Sequence, residues 1–171
     1  GVVHLSRGPT EGLAGLVYQH LGVKIPGRVV DQVKHSHFCL PRNFTRLGSP
    51  FGDHPNMKHI SGIDFSSGSL GHGLSIAAGA ALAARLQGSP RRVFCLVSDA
   101  ECNEGSLWEA VMLAAHHRLG NLVAIVDENG QQAFGHTRDV LGLEPLSEKW
   151  RAFGWDVHEV DGHDAPRMAD L

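Results

Sequence analysis

Two uninterrupted apolar runs, Val93–Val97 (VFCLV) and Leu122–Val126 (LVAIV), constrain this chain more than anything else in it. Each has strand length and neither alternates polar with apolar, so each suits a strand buried on both faces of a parallel sheet. Between them lies Ser106–Leu119, where Trp108, Met112, Ala115 and Leu119 recur at helical spacing and predict the buried stripe. Ser106 and Glu109 stand in the S-x-x-E order of a capping box. Upstream, Ser69–Leu86 carries a helical pattern built on Ala and Gly, closed by Gly88 and Pro90. Downstream, Ser147–Phe153 reads as a short helix ended by Gly154, and Trp155–Val160 as a third strand. The order strand, helix, strand, loop, helix, strand follows βαβ logic and predicts an α/β fold with a mostly parallel sheet. Nearer the start, Thr10–Leu21 reads as an amphipathic helix capped by Thr10 and stopped by Gly22. The stretch 22–60 is rich in loop-forming prolines, with room for a short helix near Val29–Val33.

Composition narrows the function classes. At 171 residues the chain is expected to form one domain with a real core. A formal charge of −3 offers no basic excess for nucleic acid. No apolar run reaches the roughly 20 residues that span a bilayer, so no membrane segment is expected. Residues 1–20 mix basic, acidic and Gly residues in one amphipathic pattern, unlike a signal peptide. Cys39, Cys95 and Cys102 lack metal-ligand spacing, which predicts reduced thiols and a cytoplasmic protein.

Ligands of open parallel sheets bind beyond the carboxyl ends of the strands. There the two runs continue into Ser98-Asp99-Ala100-Glu101 and Asp127-Glu128-Asn129-Gly130-Gln131. Asp99 and Asn129 are 30 residues apart, about one βαβ unit, which places both at one sheet edge. A carboxylate with an amide oxygen is a hard ligand set suited to Mg²⁺, and the Gln131 carbonyl could add a third oxygen. Small residues at 98 and 100 would let a diphosphate approach the backbone. On spacing alone, ordinary strand-end loops remain the competing reading.

The surrounding sequence is more specific. SDAECNEGSLWEA followed by NLVAIVDENGQQ resembles the thiamine diphosphate signature of transketolases, GDGE-x-x-EG-x-x-WEA with an Asn about thirty residues on. SSGSLGHGLSIAAGAALA resembles the family's TGSLGHGL segment, HLSRG its LSKGH, and LEPLSEKWRAFGWDVHEVDGHD the segment after the metal loop in split, two-subunit members. The resemblance implies a three-layer α/β/α thiamine diphosphate-binding fold, in its diphosphate-binding domain. It implies Asp99, Asn129 and the Gln131 carbonyl as ligands of Mg²⁺ (or Ca²⁺ or Mn²⁺), with Ala100 and Glu101 lining the diphosphate. Gly68, Ser69 and Leu70 would approach the aminopyrimidine through backbone groups. Glu104 matches a subunit-interface glutamate, and His54 in GDHPN a catalytic histidine that contacts the donor's hydroxyls.

The implied reaction is transfer of a two-carbon ketol unit from a ketose (phosphate) donor to an aldehyde acceptor. The glutamate that activates the cofactor lies in another domain of the family. The resemblance therefore implies a C-terminal partner subunit carrying the pyrimidine-binding domain, in an α2β2 assembly. The present chain is expected to be shorter than the family's full N-terminal subunit. It departs from the family's pattern at Ala100, where a Gly is usual, and at Pro9, where a His is usual. Pro9 can neither donate a hydrogen bond nor carry a proton, which keeps open ketoacyl transfer from a 2-oxoacid with decarboxylation. A non-catalytic cofactor-binding scaffold is the other alternative. GSLGHG has the wrong glycine order for a dinucleotide loop, and His35, His37, His116 and His117 lack zinc spacing.

Overall fold

A computed structural model of the chain describes residues 2–7 (backbone), 46–49, 54, 56–59, 65–66, 68–164 and 166–167. The chain divides into two compact units, Gly1–Leu21 with Leu70–Leu171, and Gly22–Ser69. The helices expected at Thr10–Leu21 and Val29–Val33, and the Pro9 departure, lie outside the described residues.

The larger unit is built on a four-stranded sheet of β1 (Val2–Arg7), β2 (Val93–Ser98), β3 (Leu122–Glu128) and β6 (Asp156–Asp161). The spatial order is β2-β3-β1-β6 and every pairing is parallel. Parallel neighbours cannot be joined by a tight turn. A 3-10 turn (Ala100–Asn103) and helix α2 (Gly105–His116) therefore carry the chain from β2 back to the start of β3. Helix α1 (His72–Leu86) precedes β2. Beyond β3 come a two-stranded hairpin of β4 (Gln131–Gln132) and β5 (Gly135–His136), then α3 (Thr137–Leu141), α4 (Leu146–Ala152) and β6. The predicted α/β class and parallel sheet are as observed. The strand β1 was not anticipated: VVHLSR carries His, Ser and Arg among its six residues, yet it lies between β3 and β6.

One face of the sheet supplies the core. Cys95 and Val97 of β2 and Leu122, Ala124 and Val126 of β3 pack with Leu74, Ala77, Ala78 and Ala81 of α1, Leu107, Ala110, Val111 and Ala114 of α2, and Trp150 of α4. On the other face, Val123 and Ile125 of β3 are buried, whereas Phe94 and Leu96 of β2 are 43% and 40% exposed. Among the described strands the run VFCLV thus lies at an edge with one covered face, and of the two apolar runs LVAIV is the one buried on both faces. The expectation failed for β2 because an edge position is a property of strand order, not of the run itself.

Two details of α2 also differ from expectation. Its buried stripe is Leu107, Ala110, Val111 and Ala114, while Met112 is exposed and Trp108 half-buried. Apolar residues occur around the whole helix, so two stripes compete and packing against α1 decides between them. The Ser106–Glu109 capping box does not form. The helix starts at Gly105, and Ser106 Oγ instead donates to the Gly71 carbonyl at 3.2 Å.

Candidate functional site

Three strand ends converge at the carboxyl edge of the sheet. In the register, Ser98 of β2 pairs with Asp127 of β3, and Asp127 with Ser6 of β1. The pairing carries one step further, because the Asp99 N–H donates to the Asp127 carbonyl at 3.1 Å. Asp99 is thereby buried, at 1% exposure, directly beside the loop that follows β3.

The Asp99 carboxylate is held on one side only. Its Oδ2 accepts from the Gly130 N–H at 2.9 Å and from Thr137 Oγ1 at 2.8 Å. Its Oδ1 is buried and has no hydrogen-bond partner among the described residues. A buried carboxylate oxygen left unpaired is costly, and such groups are normally paired or coordinate a cation. Asn129 is oriented at both ends of its amide. Its Oδ1 accepts the Gln131 N–H at 2.8 Å in an Asx turn, and its Nδ2 donates to Asp127 Oδ2 at 3.3 Å. Asp127 Oδ1 is a second buried oxygen without a partner among the described residues. Burial pushes the Asp127 carboxyl above the usual range, Asn129 pulls it down, and the nearby Asp99 charge adds to the rise.

Asp99, Asn129 and Gln131 therefore meet in one loop cluster, as the sequence spacing implied. Among the described residues no group of three or more His, Cys, Asp or Glu side chains forms a metal cage. The donors on offer are a carboxylate, an amide oxygen and backbone carbonyls. A Mg²⁺ ion completes such a hard, open set with water and phosphate oxygens. The donor chemistry and the unpaired Asp99 Oδ1 fit a divalent cation.

Ala100 opens the 3-10 turn, and its φ is not positive. The methyl that replaces the family's glycine hydrogen thus meets no backbone penalty. Glu101 is engaged at both oxygens: Oε1 accepts the Gly71 N–H at 3.2 Å and Oε2 the Ser98 N–H at 3.0 Å. Ser98 Oγ accepts the Glu101 N–H at 3.2 Å in return. The reciprocal capping box of this region is therefore Ser98–Glu101, ahead of the expected one. Leu70 is half exposed ahead of Gly71, and Glu104 is exposed at the start of α2. Cys102 is the buried residue of the 3-10 turn, where burial and the Asp99 charge push its thiol up to about 12. It is no thiolate nucleophile near neutral pH.

In the smaller unit, His54 lies against Gly68. A Cβ at Gly68, whose φ is +127°, would stand 2.8 Å from His54 Cγ. Only glycine allows the imidazole this close to the backbone. Two residues nominated from separate motifs are thus in contact. Ser69 is exposed in the same unit. Thr137 and Gly71 carry no such signal in the sequence. Thr137 is 38 residues beyond Asp99 in a stretch without a motif, and only the fold brings it to the carboxylate.

A sequence profile described as "Transketolase, thiamine diphosphate binding domain" matches residues 40–170. The chain is 44% identical over 123 residues to the 6-deoxy-6-sulfo-D-fructose transketolase subunit SqwG of Clostridium sp. (strain MSTE9), covering 72% of this chain and 45% of that protein. It is likewise 44% identical over 117 residues to an apulose-4-phosphate transketolase subunit from Actinobacillus succinogenes, covering 68% of this chain and 42% of the relative. Among solved structures, transketolase from Campylobacter jejuni superposes with a TM-score of 0.70 at 26% identity, over 98% of this chain and 26% of that one. The chain spans less than half the length of the two subunits it matches.

Proposed function

Because this chain belongs to the transketolase thiamine diphosphate-binding family, we propose that it is the diphosphate-binding part of a split transketolase-like enzyme. The reaction is transfer of a two-carbon ketol unit from a ketose donor to an aldehyde acceptor, dependent on thiamine diphosphate and Mg²⁺. The observation that carries this reading is the Asp99 carboxylate, pinned through Oδ2 with Oδ1 buried and unpaired among the described residues.

Asp99, Asn129 and the Gln131 carbonyl would hold the metal, and Ala100 would let the diphosphate come close. When bound, the cofactor would supply a carbon nucleophile and an electron sink. The chain's own residues supply position and charge. Asp99, fixed by Gly130 and Thr137, presents its free oxygen without reorganising. Asn129, fixed by Asp127 and Gln131, presents its amide oxygen and not its nitrogen. His54 would orient the donor's hydroxyls and exchange protons with them. The backbone of Gly68, Ser69 and Leu70 would receive the aminopyrimidine.

The names of the two relatives, one for a sulfo-deoxy fructose and one for a phosphorylated sugar, favour a ketose donor. Their designation as subunits favours a partner chain. We take this partner to be a C-terminal subunit with the pyrimidine-binding domain, in an α2β2 assembly, with Glu104 at the interface and a cytoplasmic location. Residues 1–171 would form one diphosphate-binding domain within it.

Calorimetry with thiamine diphosphate and Mg²⁺, in the presence of the partner, tests the site. Asp99→Asn keeps an acceptor for Gly130 and Thr137 but turns an N–H₂ toward the metal. It should leave the melting temperature nearly unchanged. Cofactor affinity should fall by at least about 100-fold, more than the loss of an outer-sphere partner costs. Equal affinity in the two proteins, or no binding by the wild type, would overturn the proposal. Turnover of 2-oxoacids alone would replace the ketose donor.

A further inference from the structure

Glu101 stands in the segment expected to line the diphosphate, yet its carboxylate is turned toward the protein. Oε1 accepts the Gly71 N–H and Oε2 accepts the Ser98 N–H, at 3.2 and 3.0 Å. The turn it reaches is held from the other side as well, since Ser106 Oγ donates to the Gly71 carbonyl at 3.2 Å. Gly71 is buried at φ +77°, and a Cβ there would lie 2.6 Å from both Glu104 Cβ and Ser106 Oγ. Both polar groups of the Gly71 backbone are thus gripped by side chains 30 and 35 residues away in sequence. The same carboxylate caps the turn that begins with Asp99.

Charge points the same way. A carboxylate facing a diphosphate would repel it, whereas one facing two backbone N–H groups makes two charge-assisted hydrogen bonds. We infer that Glu101 is a positioning residue, fixing the Leu70–Gly71 turn at a set distance from the Asp99 turn without touching the cofactor. The inference rests on the proposed cofactor site, because Leu70 is taken to contact one end of the cofactor and Asp99 to anchor the other. A rigid tie between two contact segments spares the ordering cost that binding would otherwise meet.

The test compares wild type with Glu101→Gln and Ser106→Ala, each with its partner. A glutamine offers one acceptor where two are needed, and its N–H₂ faces the second N–H. Amide hydrogen exchange, read without cofactor, should speed up at Gly71 by about tenfold in Glu101→Gln, as expected for loss of a charge-assisted hydrogen bond. The Michaelis constant for thiamine diphosphate should rise about tenfold, with kcat at saturating cofactor unchanged. Ser106→Ala should move both readouts in the same direction by a smaller factor. Unchanged exchange at Gly71 would overturn the inference. So would tighter cofactor binding by Glu101→Gln, which is the sign expected if the carboxylate faced the diphosphate. If wild type binds no thiamine diphosphate, the proposed function fails, and the exchange rates alone decide whether Glu101 ties the two turns.

Discussion

At Gly71 the backbone does something only glycine does cheaply. Its φ of +77° is left-handed, and the space where a Cβ would sit is occupied by Glu104 Cβ and Ser106 Oγ at 2.6 Å. Gly130 offers the natural comparison: its φ is +73°, but nothing lies within 4 Å of its absent Cβ. Gly130→Ala should cost about 1 kcal/mol, the left-handed penalty for an L residue. Gly71→Ala should cost that much plus about 1–3 kcal/mol for overpacking against groups tied into the Glu101 network. Denaturant titrations of the two variants check the difference. Equal destabilisation would mean that the Glu104 and Ser106 side chains give way freely. The motif GSLGHG contains both kinds of information, yet sequence shows only that glycines are there. Which neighbour each of them meets depends on residues elsewhere in the chain: His54 at Gly68, and Glu104 and Ser106 at Gly71.

Helices α1, α2 and α4 end by a common device, and one of them uses the wrong residue for it. After α1, Gly88 lies at φ +64° while the Gly88 and Ser89 N–H groups return to the Arg85 and Ala84 carbonyls. After α4, Gly154 at φ +84° does the same, its own N–H returning to Arg151 and that of Trp155 to Trp150. Both are Schellman caps, and both glycines were readable as helix stops. Helix α2 closes with the same pair of bonds, from Arg118 to Ala115 and from Leu119 to Ala114, but the left-handed residue is Arg118 at φ +51°. The sequence pattern carries this helix on to Leu119, because no glycine marks the stop and Gly120 comes two residues too late. Arg118→Gly should therefore stabilise the protein by up to about 1 kcal/mol, raising the denaturation midpoint without altering the m-value. A loss of stability would show that the arginine side chain contributes more than its backbone costs. Elements whose signals are local were legible in this way: the β3 run, α1, and the glycine-stopped α4. The stripe of α2, the one-sided burial of β2 and the place of β1 between β3 and β6 are set by neighbours, and no window of sequence holds them.

At the scale of the molecule, the site is an edge assembled from separated parts. Asp99 and Asn129 could be paired from sequence because both follow apolar runs one βαβ unit apart, and strand order then makes those runs neighbours. Thr137 and Glu101 acquire their roles only through the fold, one completing the hold on Asp99 and the other tying its turn to Gly71. What this edge would provide is a grip on a metal and a diphosphate. Activating the cofactor also needs a carboxyl group against its aminopyrimidine, which in the proposed assembly comes from the partner's domain. Grip and activation should therefore separate experimentally. With Mg²⁺ present, this chain alone should bind inorganic pyrophosphate at the Asp99 site, because a grip on the diphosphate needs no partner. Exchange of the thiazolium C2 proton with deuterium, followed by NMR on added thiamine diphosphate, should run at the rate of the free cofactor. Adding the partner chain should raise that rate by several orders of magnitude, the scale on which a positioned acid–base group with an organised site acts. Fast exchange by this chain alone would place an activating group within it, and no acceleration by the partner would leave the pair a cofactor-binding scaffold.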